Sequence, residues 1–253
     1  MQGEAATDRR LMTLTGADAL PFLQGLVSND VLPLARGPGM VWAALLTPQG
    51  KYLTDFFAVS DGDALLLDLP EALADATLRR LAMYRLRSDV QMIPSPLCVT
   101  RGLGLPPDGA LPDPRHPDLG WRRYASAPGV APVIDWDAIR VAHGIPESGI
   151  ELIPDQTYIL EAGFERLHGV NFRKGCYVGQ EVTARMKHKT DLRKGLVRVL
   201  IKGSAPVGTE ILADGKPVGT LFTQSGDHAI AHLRLDRVAG EMQAGPARLW
   251  LER

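Results

Sequence analysis

Apolar and polar positions follow two different periods along this chain, and the change of period marks its organisation. Positions 40–46 and 52–59 are short apolar runs that read as two strands joined by the turn Thr47-Pro48-Gln49-Gly50. The pair Asp61-Gly62 then turns the chain into a third strand over 64–69. Thr15, with Asp18 three positions on, marks a helix start, and apolar residues at helical spacing predict a helix over 19–27. A second helix is predicted over 71–87, with Leu73, Ala76, Leu81 and Tyr84 near one face. Strands packed with helices make an α+β sheet with its helices on one side.

The stretch 94–132 breaks both periods. It holds nine prolines, and proline fixes φ and removes a donor, so it reads as a loop or edge region and not as a core element. A short helix resumes over 136–143. Beyond Lys194 the period becomes two, over 196–200, 209–212, 217–223 and 229–235, with Asp214-Gly215 as a hairpin turn. The chain therefore divides into residues 1–194 and a small β-barrel or sandwich over 195–253.

Composition narrows the classes. At 45% apolar and 23% charged residues the chain is an ordinary globular protein. Its net charge of −1 gives no whole-molecule attraction to nucleic acid or anionic lipid. No run approaches the roughly 20 apolar residues that cross a bilayer, so no membrane association is expected. The start MQGEAATDRR lacks the apolar core of a secretory signal, and Glu4 and Asp8 do not suit an organelle presequence. A cytoplasmic location is expected. The two cysteines, Cys98 and Cys176, suit a reducing compartment and belong to no CxxC pair, so the chain alone lacks the thiolates for a metal site.

Charge is uneven in the middle of the chain. Residues 135–165 carry seven acids against Arg140, whereas 173–194 carry seven Lys or Arg residues against Glu181 and Asp191. These blocks are either two solvated faces or a cavity with an acidic pocket for a donor-rich ring and a basic mouth for an anionic tail. The segment KGCYVGQE, 174–181, sets Cys176 between Gly175 and Tyr177. Its glycines allow a close approach or a sharp turn. If Arg173 and Lys174 point at the sulfur, they favour a thiolate, which serves as nucleophile, redox centre or metal ligand. The bland alternative is a small cysteine buried in a turn.

KGCYVGQE and its continuation VTARMKHK resemble the signature of the YgfZ family, relatives of the glycine-cleavage T-protein. FLQGLVSND, LLTPQGK and HGIPESGIELIP resemble further motifs of that group, so the likeness spans roughly residues 10–200. The resemblance implies a GcvT-like folate-binding fold: split ferredoxin-like α/β domains around a central cavity, closed by a C-terminal β-barrel. It implies tetrahydrofolate, or a one-carbon derivative, as ligand, and a role in assembly or repair of iron–sulfur enzymes, with assembly proteins or client enzymes as partners. The family's functional cysteine maps onto Cys176, and Lys174, Tyr177, Gly179, Gln180 and Glu181 accompany it in the motif. LEAGF, 160–164, resembles the T-protein segment whose glutamate grips the pterin, which maps onto Glu161. A carboxylate can accept the two parallel N–H bonds that a pterin edge offers. Lys174, Arg185 and Arg193 of the basic block then face the glutamyl tail.

One departure stands out. Where the T-protein carries two aspartates, one of them catalytic, GKYLTDFF (50–57) has Thr54 and Asp55. Aminomethyl transfer needs a carboxylate within reach of the reacting nitrogen, a role for which Asp55 is the remaining candidate. An aminomethyltransferase or folate-dependent demethylase thus stays open as an alternative, as does an accessory role in tRNA modification, to which the family is linked. Other signals carry less. His228 and His232 lie in a strand pattern, too far apart to share an ion, so no metal site is expected. His188 belongs to the basic rim, and Gly102-Leu103-Gly104 lacks the helix of a dinucleotide loop. The basic run 185–194 has only His188 for stacking, so direct nucleic-acid binding is not expected.

Overall fold

A computed structural model describes residues 3–62, 64–188, 192–238 and 240–252. The first elements in chain order are β1 (Glu4–Ala5), β2 (Arg9–Thr15), α1 (Ala19–Gln24), β3 (Gly39–Leu46), β4 (Tyr52–Ser60), β5 (Leu65–Pro70) and α2 (Glu71–Arg85). Next come β6 (Gln91–Pro94), β7 (Cys98–Gly102), β8 (Leu111–Pro112), β9 (Trp121–Ala125), α3 (Trp136–His143) and α4 (Gln180–His188). The last part holds β10 (Lys194–Lys202), β11 (Glu210–Ala213), β12 (Lys216–Ser225), β13 (His228–Arg234), β14 (Glu241–Ala244) and β15 (Ala247–Leu251).

Strands β3 and β4 are mostly apolar because both faces of their sheet are covered, with Thr54, Asp55 and Ser60 as buried polar positions in β4. The five strands lie in the order β3-β4-β5-β2-β6. Side chains of a strand alternate between faces. Ala43, Leu45, Phe56 and Ala58 accordingly join the core under α1 and α2, with Leu23, Ala74 and Leu81. Trp42, Ala44, Leu46, Phe57 and Val59 join the opposite core, with Ile145, Leu152, Phe164 and Leu167. Helix α2 stops at Arg85 because Leu86 turns to φ 44°. Its buried residues are Ala74, Thr77 and Leu81, with Leu73 and Tyr84 of the expected stripe packed partly buried beside them.

The proline-rich stretch is structured, which corrects the reading of it as loop. Strands β1-β7-β9-β8 form a second sheet there. The prolines fall in connections and in the short edge strands β6 and β8, while β7 and β9, in the sheet interior, contain none. Two buried charge clusters join these bodies. Asp68 of β5, with no exposed surface, accepts from Arg9 Nε (2.6 Å), the Tyr124 hydroxyl (2.9 Å) and Arg122 Nη1 (3.3 Å) of β9. Arg122 Nε also donates to Asp113 (3.2 Å), which Arg115 clasps through Nη2 (2.8 Å) and Nε (3.0 Å). Burial would raise the Asp113 carboxyl, but Arg115 and Arg122 outweigh it and hold it at about 2.

The period-two segment closes into a six-stranded barrel, β10-β13-β12-β11-β14-β15, with β15 pairing back to β10. Asp214 (φ 49°) and Gly215 (φ 73°) make the hairpin turn between β11 and β12. A polar clamp fastens the barrel to the rest. Glu151 accepts the amide (3.2 Å) and hydroxyl (2.5 Å) of Thr223 on β12 and Arg140 Nη1 (3.1 Å) from α3. Among the described residues, no helix is long and apolar enough to cross a membrane.

Removing Asp68 would strand the buried Arg9 guanidinium and take from Arg122 one of its two carboxylate partners. Asp68→Ala is predicted to destabilise the protein by about 3–5 kcal/mol in denaturant unfolding. Asp75→Ala, which removes an exposed partner of Arg10, should change it by less than about 1 kcal/mol.

Candidate functional site

The signature segment forms a loop braced from both ends. Asn171 donates its amide to Ser28 O (3.0 Å), and its side chain accepts the Arg173 amide (2.8 Å). Lys174 turns inward, and its Nζ donates to the carbonyls of Gln24 and Val27 (both 2.5 Å) behind α1 while lying 4.8 Å from the Tyr177 ring centre. Gln24 answers with a bond to Lys174 O (3.2 Å). Past the cysteine, Gly179 (φ 85°) lies against the β3–β4 turn, where a Cβ would stand 2.7 Å from Thr47 O. Gly50 meets the same contact from the other side, 2.8 Å from Val182 Cβ. Neither position has room for a side chain.

Between these anchors Cys176 is exposed, and Tyr177 is buried behind it, its hydroxyl within no hydrogen-bond geometry among the described residues. Burial raises the Tyr177 hydroxyl. Burial also pulls the Lys174 ammonium down to about 8, against the opposing charge of Asp30. The Lys174 ammonium is therefore a strut that holds the loop to α1 and is not presented to the sulfur; Arg173 is solvent-exposed. Gln180 opens α4, and Arg185 pairs along its exposed face with Glu181 (2.9 Å). Arg193 is exposed just before the barrel, its carbonyl accepting the Leu235 amide (2.8 Å). Lys189 and Asp191 of the basic block lie outside the described residues.

Glu161 lies elsewhere. It lines a cavity of about 260 Å³ between body and barrel, together with Lys51, Tyr158, Lys194, Phe222 and His232. Its Oε2 is 3.2 Å from His232 Nε2, and among the described residues its Oε1 takes no hydrogen bond. Lys51 Nζ rests 3.5 Å from the Tyr158 ring centre and donates to Gln156 O (2.7 Å). Cys176, Lys174, Tyr177, Gln180, Arg185 and Arg193 do not line this cavity. Its cations are Lys51, which sequence reading did not single out, and Lys194 from the end of the basic block. His232 was also missed as a site residue. The strand pairing that sets it opposite Leu196 and Thr220 brings it to Glu161 and exists only once the barrel closes. His228 pairs instead with Asp227 (2.6 Å), so the two imidazoles have separate partners.

The cavity sets a carboxylate acceptor beside two cations. Glu161 offers one free carboxylate oxygen to a donor-rich ring, and Lys51 and Lys194 offer charge to an anionic tail. At 260 Å³ it is slightly smaller than common small-molecule sites, enough for a ring system. Asp55 is fully engaged. It is 4% exposed and accepts from Trp42 Nε1 (2.7 Å), the Tyr52 hydroxyl (2.7 Å) and the Ser148 hydroxyl (2.5 Å). Burial and the adjacent Asp55 charge raise the Tyr52 hydroxyl well above its ordinary value.

The Lys174 strut has a pH signature. Its ordinary value, 10.5, applies to the unfolded chain, which binds the proton more tightly than the folded form does at about 8. Stability should then rise between pH 8 and 10.5, where the folded amine is neutral and the unfolded one still charged. Lys174→Met is expected to flatten that rise in urea titrations.

Comparison with known proteins closes the description. Residues 193–253 match the CAF17, C-terminal beta-barrel domain. The fold is similar to the glycine cleavage system aminomethyltransferase T from Bartonella henselae, with a TM-score of 0.74 and 15% identity over 98% of this chain and 84% of that one. The GcvT-like α+β fold with a closed C-terminal barrel is thus shown. The mitochondrial iron-sulfur cluster assembly factor IBA57 of Mus musculus is 30% identical, over 92% of this chain and 78% of its own length. Its Homo sapiens counterpart is 31% identical over the same shares. A homologue from Mycosarcoma maydis is 32% identical over 75% of this chain and 54% of its own. These relatives are mitochondrial by name, which overturns the expected cytoplasmic location; two unpaired thiols suit any reducing compartment and could not discriminate between them. With such identity across nearly its whole length, the chain belongs to the IBA57 family of iron–sulfur cluster assembly factors.

Proposed function

We propose that this protein acts in iron–sulfur cluster assembly by presenting the Cys176 thiol to a cluster, a persulfide or a partner protein, and that a reduced folate uses the Glu161 cavity. The observation that carries the first part is the contrast between the two cysteines. Cys98 is half-buried within β7, whereas Cys176 is exposed at the tip of a loop pinned by Lys174 and the Gly50–Gly179 contact. A thiol held out from a fixed backbone can meet a cluster carried by another protein without rearrangement of its own chain. Assembly proteins or client enzymes are its partners, and the cluster is cargo.

The second part rests on the donor set. Glu161 would hold the pterin edge within the cavity, His232 would fix the carboxylate's orientation, and Lys51 and Lys194 would meet the anionic tail where it leaves the cavity. When bound, the folate would supply one-carbon or reducing chemistry. An aminomethyltransferase reading has the fold in its favour, but Asp55 has both oxygens engaged in the core and does not open onto the Glu161 cavity.

Replacing the chromosomal copy with Cys176→Ala should abolish activity of four-iron enzymes while leaving the protein's abundance unchanged; full activity would remove the cysteine from the proposal. Glu161→Gln should weaken tetrahydrofolate binding by about tenfold or more in calorimetry, the worth of one charged hydrogen bond. Equal affinity would remove the folate assignment and leave the Cys176 assignment standing.

A further inference from the structure

A second, much smaller cavity lies where β7 and β9 approach α3, and its lining is unusually cationic. Arg101, Arg115, Arg122 and Arg140 face it, against the carboxylates of Asp113 and Glu147. Its volume is about 10 Å³, room for one water-sized sphere. Three of the guanidiniums are paired. Asp113 serves Arg115 and Arg122. Arg140 is held by Asp137 (2.8 Å) and Glu151 (3.1 Å), with Glu147 at 3.8 Å.

Arg101 is the exception. Among the described residues it makes no hydrogen bond or ion pair; its Nε is buried without a partner, and its guanidinium lies 4.4 Å from the Trp136 ring centre. Glu4, whose charge also bears on Arg101, spends its carboxylate on the amides of Val133 (2.6 Å) and Ile134 (2.7 Å) and on Trp136 Nε1 (2.9 Å). Burial, and then repulsion by Arg122, weaken the Arg101 guanidinium's hold on its proton. Arg101 is half-buried with its Nε fully covered, so part of the cation is desolvated without an acceptor, a deficit that an anion would fill.

We propose that Arg101 anchors an anion subsite, in which one oxygen of a small oxyanion, a carboxylate or a phosphate, enters the cavity between Arg101 and Arg122. The planar fork of Arg101 supplies paired donors, and the Trp136 ring, 4.4 Å away, packs against it. Glu147, 29% exposed, stands beside the cavity and competes weakly for the same charge. The subsite is independent of both Cys176 and the Glu161 cavity, neither of which shares a lining residue with it.

Thermal unfolding of the full chain at fixed ionic strength tests this, with chloride exchanged stepwise for acetate or for phosphate. Wild-type protein should melt about 3 °C higher at an oxyanion concentration ten times the dissociation constant. A rise with acetate alone assigns a carboxylate, and a rise with phosphate alone assigns a phosphate group. Arg101→Met should melt at or above the wild type in chloride and show no oxyanion response. Arg101→Lys, which keeps charge but loses the fork, should respond only at roughly tenfold higher concentration. A wild-type melting temperature indifferent to both oxyanions, or an undiminished response in either variant, would overturn the subsite.

Discussion

The architecture depends on charge buried at the seams between bodies. Asp68 lies in the middle strand of the first sheet with no exposure, and its partners come from β2 and from β9 of the second sheet. A carboxylate there is tolerable only while Arg9, Arg122 and Tyr124 stay in place, so the two sheets cannot slide without exposing an uncompensated charge. The Glu151 cluster plays the same part for the barrel, whose apolar core is otherwise its own. Hydrophobic burial makes each body, and geometry-demanding ion pairs fix how they meet.

Within that frame the thiol and the carboxylate cavity occupy separate places. Cys176 is on an outer loop beside α1 and the β3–β4 turn, and Glu161 is at the body–barrel seam. A chemistry that needed both groups on one small molecule is not favoured by this arrangement. An exposed sulfur stands on one side, and a small hollow at the barrel seam on the other.

Much of this was legible in the chain. Apolar runs located β3 and β4, and period-two alternation with Asp214-Gly215 located the barrel, because those signals arise from burial and local turn chemistry. What escaped depends on contacts remote in sequence. The second sheet hid behind its prolines, which punctuate β7 and β9 without entering them. Lys174 read as a neighbour of the sulfur in sequence, yet its four-carbon stem carries the charge away to carbonyls some 150 positions earlier. His232 reaches Glu161 only through barrel closure, and Arg101 becomes an orphan only when Asp113 has been claimed by others.

The contact between Gly50 and Gly179 has a consequence for how position 176 can be varied. The loop is held there by the close approach of Gly179 to Thr47 and Gly50, three positions beyond the exposed cysteine. The sulfur is a passenger on a scaffold that is indifferent to it. Evolution, or an experimenter, can exchange that one atom for oxygen or hydrogen without disturbing the frame, so any phenotype at this position reports on sulfur chemistry alone.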